Sequence, residues 1–309
     1  MTRARGVALI TALLITALVG SVAANMAWDN ALDMRRTMVL LYRDQAVQVA
    51  VGSEGWVRTI LRDDLAGSET DHLDEIWATE IPALPIDSEA VQGQIWGSIE
   101  DLQGRFNVNN LIDANGEVDP AALEQFERLL AALDLDTRLA STVADWIDAD
   151  QQEIIPDGAE DPLYSGLTPA YRSANRRISN VTELAAVSGM DRGSFELLLP
   201  HVTALPGRTA VNVNTATIPV LQSLGPNITL GDAEGLVSAR QEGGFIDYSE
   251  IFAPLVDPNL VQWIADSTSF FQLKAVVQID TVRVSLFTVL HRNAQTGDVT
   301  PILRSLGTI

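Results

Sequence analysis

The chain opens with Arg3, Arg5 and Gly6 and then runs from Val7 to Ala27 without a charge or a proline. Only Thr11, Thr16, Gly20, Ser21 and Asn25 interrupt the apolar side chains of that run. At a rise of ~1.5 Å per residue, about 20 such residues match the hydrocarbon thickness of a bilayer. The positive-inside rule keeps Arg3 and Arg5 on the cytoplasmic side and sends everything after Ala27 across the membrane.

A secretory signal peptide has the same outline, with Val22-Ala23-Ala24 as an acceptable small-residue cleavage site. Two details favour a retained helix. Gly6 marks the boundary between the charged leader and the apolar run, and helical periodicity continues past Ala24. Trp28, Leu32, Val39, Tyr42, Ala46, Val49, Trp56 and Ile60 recur in three- and four-residue steps, with no breaker before Gly52. The pattern predicts one helix from Val7 to about Leu65, roughly 85 Å long. Its first third is apolar all round, the rest is amphipathic, and Trp28 is placed as an interfacial anchor.

A chain of 309 residues with 47% hydrophobic content can bury a sizeable core and divides into two or three units. It has no cysteine, so no disulfide supports it. Asp and Glu number 41 against 20 Lys and Arg, a net charge of −21. Such acidity opposes docking on nucleic acid or anionic membranes and supplies oxygen ligands for hard cations.

Residues 94–111 alternate around Gln103-Gly104 and predict a β-hairpin; 269–304 predict two long strands, a turn at Asn293 to Asp298 and a last strand. Between them, Asp119-Pro120 caps a helical pattern that reaches Asp148, and further helices are expected at Val181 to Ser188, Gly193 to Leu199, Ile218 to Leu224 and Asp232 to Arg240. The expected fold class is α+β: a long N-terminal helix packed on an antiparallel sheet, with a large α-helical domain inserted. Its divisions are a leader at 1–6, the long helix at 7–66 with 7–27 in the membrane, a core at 67–111 and 268–309, and the insert at 112–267.

Enzyme readings find little support. His72, His201 and His291 lie far apart and none has metal-ligand spacing. No nucleophile elbow, P-loop or dinucleotide fingerprint follows an expected strand, so no catalytic residue is assigned. Six carboxylates do crowd residues 148–161, around Pro156 and Gly158. They repel one another unless a cation sits among them, yet the spacing is not an EF-hand: its sixth position is Glu153 and its twelfth Ala159. Spacing alone leaves a solvated acidic loop and a metal site equally open.

A short basic leader ending in glycine, followed by this helix, resembles the type IV pilin and pseudopilin class. There a prepilin peptidase cuts after the glycine, here Gly6, and methylates the new N-terminus, here Val7. The fifth mature residue of that class is usually glutamate and here it is Thr11. A subunit without that charge suits a unique position such as a fibre tip better than a repeating one.

The hairpin segment EDLQGRFNVNNL, then ADWIDAD with DGAED and a tyrosine, then NVTELAAVSGM and AVNVNTA resemble, in that order, the large minor pseudopilin K of type II secretion systems, the GspK family. The resemblance implies an inner-membrane subunit with its bulk in the periplasm. It further implies a tip complex with minor pseudopilins I and J that starts the pseudopilus for export of folded proteins. Pseudopilin H, the major pseudopilin, the secretin and the secreted substrate are further candidate contacts. It also implies structural Ca²⁺ in the helical domain, for which Asp148, Asp150, Asp157, Glu160 and Asp161 are the candidate ligands.

The segment from Val211 resembles a helix-hairpin-helix module, and 180–202 resembles a weaker copy. Its turn, Leu224-Gly225-Pro226-Asn227-Ile228, lacks the second glycine of nucleic-acid-binding versions, and Pro226 removes a donor. Arg208 and Arg240 face Asp232, Glu234 and Glu242 in the sequence. A packing module is the expectation, with a pilin-like DNA-uptake protein as the alternative.

Overall fold

The computed structural model describes residues 3–87, 92–240, 243–245 and 247–307. Helix α1 spans Arg3–Gly67 without interruption. Met1 and Thr2 of the expected leader lie outside the described residues, as do the side chains of 3–6 and Glu242. Val7 is exposed on α1, like every side chain from there to Leu41. The N-terminal part of α1 is long and apolar enough to cross a membrane.

One antiparallel sheet has the order β1-β2-β7-β8-β9. Its strands are β1 (Ile81–Asp87), β2 (Gln92–Asp101), β7 (Phe270–Ile279), β8 (Val282–Arg292) and β9 (Val299–Leu306). The last three follow the alternation of the C-terminal sequence: on β7, Phe271, Leu273, Ala275, Val277 and Ile279 are all buried.

Helix α1 crosses this face with Ala46, Ala50, Glu54, Val57 and Leu61 buried at three- and four-residue steps. The expected stripe ended on Trp56 and Ile60, one residue early: Trp56 is 49% exposed, and Val57 and Leu61 pack beneath Trp77, Phe271 and Leu290. A carboxylate in the middle of the stripe hid the phase. Glu54 accepts from Thr288 Oγ1 at 2.8 Å and from Arg304 Nε and Nη2 at 2.7 Å, which ties α1 to β8 and β9. Burial pushes Glu54 up, but the bonds from Arg304 and Thr288 prevail and hold it below the ordinary carboxylate value.

The hairpin expected around Gln103-Gly104 does not form. β2 pairs with β1 on one side and β7 on the other. Past Gly104 the chain leaves the sheet as β3 (Phe106–Asn107), which pairs in parallel with β4 (Val202–Thr203). The corner is anchored instead: Asp101 accepts from Gln103 N at 2.7 Å, Thr215 Oγ1 at 2.5 Å and Asn212 Nδ2 at 2.9 Å. A Cβ at Gly104 would lie 2.6 Å from Thr215 Oγ1, so only glycine fits there.

The helical unit repeats one plan twice. In the first half, β3 leads to helices α2 (Pro120–Ala132) and α3 (Leu139–Ile147) and closes through α4 (Asp161–Ser165) and α5 (Arg192–Leu198) on β4. In the second, β5 (Val211–Asn212) leads to α6 (Ile218–Ser223) and α7 (Leu230–Ala239) and closes through α8 (Tyr248–Phe252) on β6 (Ile264–Ala265), again in parallel. Matching asparagines lock both halves. Asn109 accepts from Ile178 N at 2.9 Å and donates to Leu205 O, and Asn214 accepts from Phe245 N at 2.8 Å and donates to Asp266 O. Segment 180–202 is therefore the closing part of the first half, not a second hairpin. Val181–Ala186 within it forms 3-10 turns, capped by Asn180 and Glu183, where an α-helix was expected. One apolar core runs through both halves, with Phe106 stacked on Phe126.

Candidate functional site

The acidic segment hangs on the end of α3. Asp119 caps α2 by accepting from Ala121 N and Ala122 N, and α2 and α3 bring Asp145, Trp146 and Asp148 to the base of the loop. Asp145 is fully buried and accepts from Ala159 N at 2.7 Å and Ile154 N at 3.2 Å, which folds the loop back on itself. Gly158 is required here, since a Cβ would collide with that carboxylate and with Ile154 N.

The fold-back brings carboxylate oxygens of Asp148, Asp150 and Glu160 within 4.8 Å of one another. Asp157 and Asp161 are not brought into this group. Asp157 gives its carbonyl to Thr142 Oγ1, and Asp161 Oδ1 accepts from Ser173 N at 3.0 Å. Burial raises Asp148 to about 7, helped by the charges of Asp150, Asp145 and Glu160. Burial likewise raises Asp145 to about 6 and pushes Glu160 up.

Hydrogen bonding in the group is incomplete in a telling way. Asp148 Oδ1 and Glu160 Oε1 are buried and accept no hydrogen bond, and neither does buried Asn175 Oδ1. Asn175 is held at the group by its Nδ2, 2.6 Å from Asp150 O, and by its N–H to Trp146 O. Buried oxygens without donors are costly. The clustered carboxylate oxygens of Asp148, Asp150 and Glu160, two of them buried without a donor, fit a Ca²⁺ ion, which takes six to eight oxygen ligands, and Asn175 Oδ1 is a further unpartnered oxygen on a residue bonded to Asp150. Asn175 and Asp145 carry no sequence signal for this, because they act through a fold-back that spacing does not encode.

A second acidic group, Asp64, Asp71 and Glu75, differs. Buried Arg292 enters it, bonding Asp71 at 2.5 and 2.6 Å and Asp64 at 3.0 Å, so its charge is met by a side chain.

Arg208 and Arg240, the basic side chains nearest the segment that resembles a nucleic-acid module, are engaged within the protein. The α2–α3 turn carries Asp134 and Asp136. Arg240 donates to Val213 O and Ala216 O, and Arg208 pairs with Asp119 at 2.8 Å and stacks over Trp263.

Two family models, both described as type II secretion system protein K, match residues 104–207 and 211–257. The type II secretion system protein K of Pseudomonas aeruginosa is 36% identical over 98% of this chain and 92% of its own length. The chain belongs to the type II secretion system protein K family. The Klebsiella pneumoniae member is 31% identical over 96% of this chain and 95% of its own. A solved structure, the GspK-GspI-GspJ complex from enterotoxigenic Escherichia coli, superposes with a TM-score of 0.77 over 89% of this chain and 100% of that chain. At 24% identity that likeness shows the fold: a long N-terminal helix, an antiparallel sheet and a helical unit. The first matched segment spans the first half of the helical repeat and the second covers the other half up to Asp257, short of β6, and the family is a component of a secretion machine.

Proposed function

We propose that this protein is a minor pseudopilin at the tip of a type II secretion pseudopilus. It is inserted through 7–27, cleaved after Gly6, methylated on Val7, and placed with its bulk in the periplasm. There it joins minor pseudopilins I and J and starts assembly. The observation that carries this reading is α1 itself. One unbroken helix leaves 7–41 exposed, with 7–27 free of charge and largely apolar, and then seats Ala46 to Leu61 on the sheet, so a single element serves as anchor and as lateral packing surface.

Thr11 supports the tip position. Its hydroxyl is satisfied within its own helix, donating to Val7 O and Ala8 O, and offers no charge to a neighbour's ammonium. The relative solved with GspI and GspJ is the reason for naming I and J. Co-expression with this system's own I and J and the prepilin peptidase tests the reading. A stoichiometric complex on size exclusion supports it, and a chain that elutes alone contradicts it.

We also propose that Asp148, Asp150, Glu160 and Asn175 hold Ca²⁺, with Asp157 and Asp161 supporting from the same loop. The ion's role is structural: it neutralises the carboxylates and fixes 148–175 against α3.

A further inference from the structure

The outer side of the acidic loop carries an apolar patch that the packing does not explain. Leu163, within α4, and Leu167, two residues past its end, are 40% and 41% exposed. Tyr171 returns beside them: the N–H groups of Leu167 and Tyr171 both point to Tyr164 O, at 3.2 and 3.4 Å. The Tyr171 ring, 37% exposed, tilts over Tyr164 with centroids 5.4 Å apart, and its hydroxyl donates to Ala186 O. Beneath, buried Tyr164 meets Trp146 edge-on at 5.1 Å. Tyr171 thus stands on an aromatic base, and the same turn of chain leaves Leu163 and Leu167 exposed.

The same loop joins this patch to the carboxylate group. Glu160 is the residue before α4, and Ser173, two residues past Tyr171, donates to Glu160 Oε2 at 2.7 Å and to Asp161 Oδ1 at 3.0 Å. A cation shared by Asp148, Asp150 and Glu160 would fix α4 and the patch to α3.

We propose that Leu163, Leu167 and Tyr171 form a cation-ordered docking surface for a protein segment that presents an apolar anchor beside Lys or Arg side chains. This rests on the Ca²⁺ reading above. The partner's chemistry follows from charge. Residues 112–267 hold 24 carboxylates against 8 arginines, so they repel nucleic acid and anionic headgroups and attract a basic polypeptide. A patch of three side chains is small, and small interfaces suit transient encounters better than permanent subunit contacts.

The test uses the full chain in detergent with fluorescein-labelled 16-residue amphipathic peptides, of Leu/Lys, Leu/Glu and Ser/Lys composition, read by anisotropy in Ca²⁺ and in chelator. The Leu/Lys peptide is expected to bind in Ca²⁺ and to lose at least tenfold in affinity in chelator and in a Leu163→Ser/Leu167→Ser variant. Equal binding of the Leu/Glu or Ser/Lys peptide, or undiminished binding by the variant or in chelator, overturns the proposal. Terbium luminescence on the same samples keeps the two readings apart. A variant that holds terbium and melts like the parent yet binds no peptide isolates the patch, whereas a parent that takes up no terbium refutes the cation site itself.

Discussion

Arg292, at the end of β8, places one terminal nitrogen 2.5 and 2.6 Å from the two carboxylate oxygens of Asp71. The same side chain donates to Asp64, Leu61 O and Thr268 O and lies over the Phe271 ring at 4.7 Å. One buried guanidinium therefore joins the end of α1, the connector after it and the sheet. Asp71 extends the network, accepting from Thr268 N at 2.7 Å and giving its carbonyl to Asn212 Nδ2 at the base of the helical unit.

Arg292→Met leaves buried Asp71 and half-buried Asp64 without their cation. Removing one partner of such a pair costs about 3–5 kcal/mol, so thermal unfolding of the variant in detergent should start many degrees lower. An unchanged melting curve would show that the network contributes nothing.

Glu54→Ala separates α1 from β8 and β9. Because the folded-state value of Glu54 lies below its unfolded one, its contribution is present at neutral pH and lost as pH falls through that lowered value. Amide exchange in 46–61 should rise severalfold in the variant at neutral pH, and the wild-type chain should approach the variant in strong acid.

On the proposed Ca²⁺ reading, removing the cation inverts the pH dependence of stability. Without Ca²⁺, Asp148 holds its proton to about 7 and Asp145 to about 6, whereas the unfolded chain releases carboxylate protons near 4. Between about pH 4 and 7 the native state binds more protons, so stability falls as pH rises through that window. In chelator the melting temperature should be higher near pH 5.5 than near pH 7.5, and saturating Ca²⁺ should raise it most at the higher pH. A chelator-insensitive profile would contradict the site.

Terbium offers a residue-level check, because Trp146, Tyr164 and Tyr171 form an aromatic cluster beside the carboxylates. Sensitised emission should be weakened at least tenfold in Asp148→Asn and Glu160→Gln and should largely persist in Asp157→Asn. Equal loss in all three would mean that the loop binds diffusely.

Much of this was legible in the sequence for physical reasons. Period-two alternation marked β7, β8 and β9, and Asp119-Pro120 marked the start of α2, because those signals are local. β1 was missed because Pro82 and Pro85 suppress strand propensity, which an edge strand tolerates. The false hairpin at Gln103-Gly104 arose because the partners of Asp101, Asn212 and Thr215, lie over a hundred residues away. In the acidic loop, composition marked the carboxylate-rich segment, but the meeting of Asp148, Asp150 and Glu160 without Asp157 and Asp161 follows from the fold-back that Asp145 enforces, which spacing does not encode.

The most direct measurement is N-terminal peptide mass spectrometry on the chain expressed with and without a prepilin peptidase. The account predicts a mature chain beginning at N-methylated Val7, with α1 retained, only when the peptidase is present. A chain that begins at Asn25 would contradict it, since the anchor and the exposed half of α1 would then be absent from the working protein.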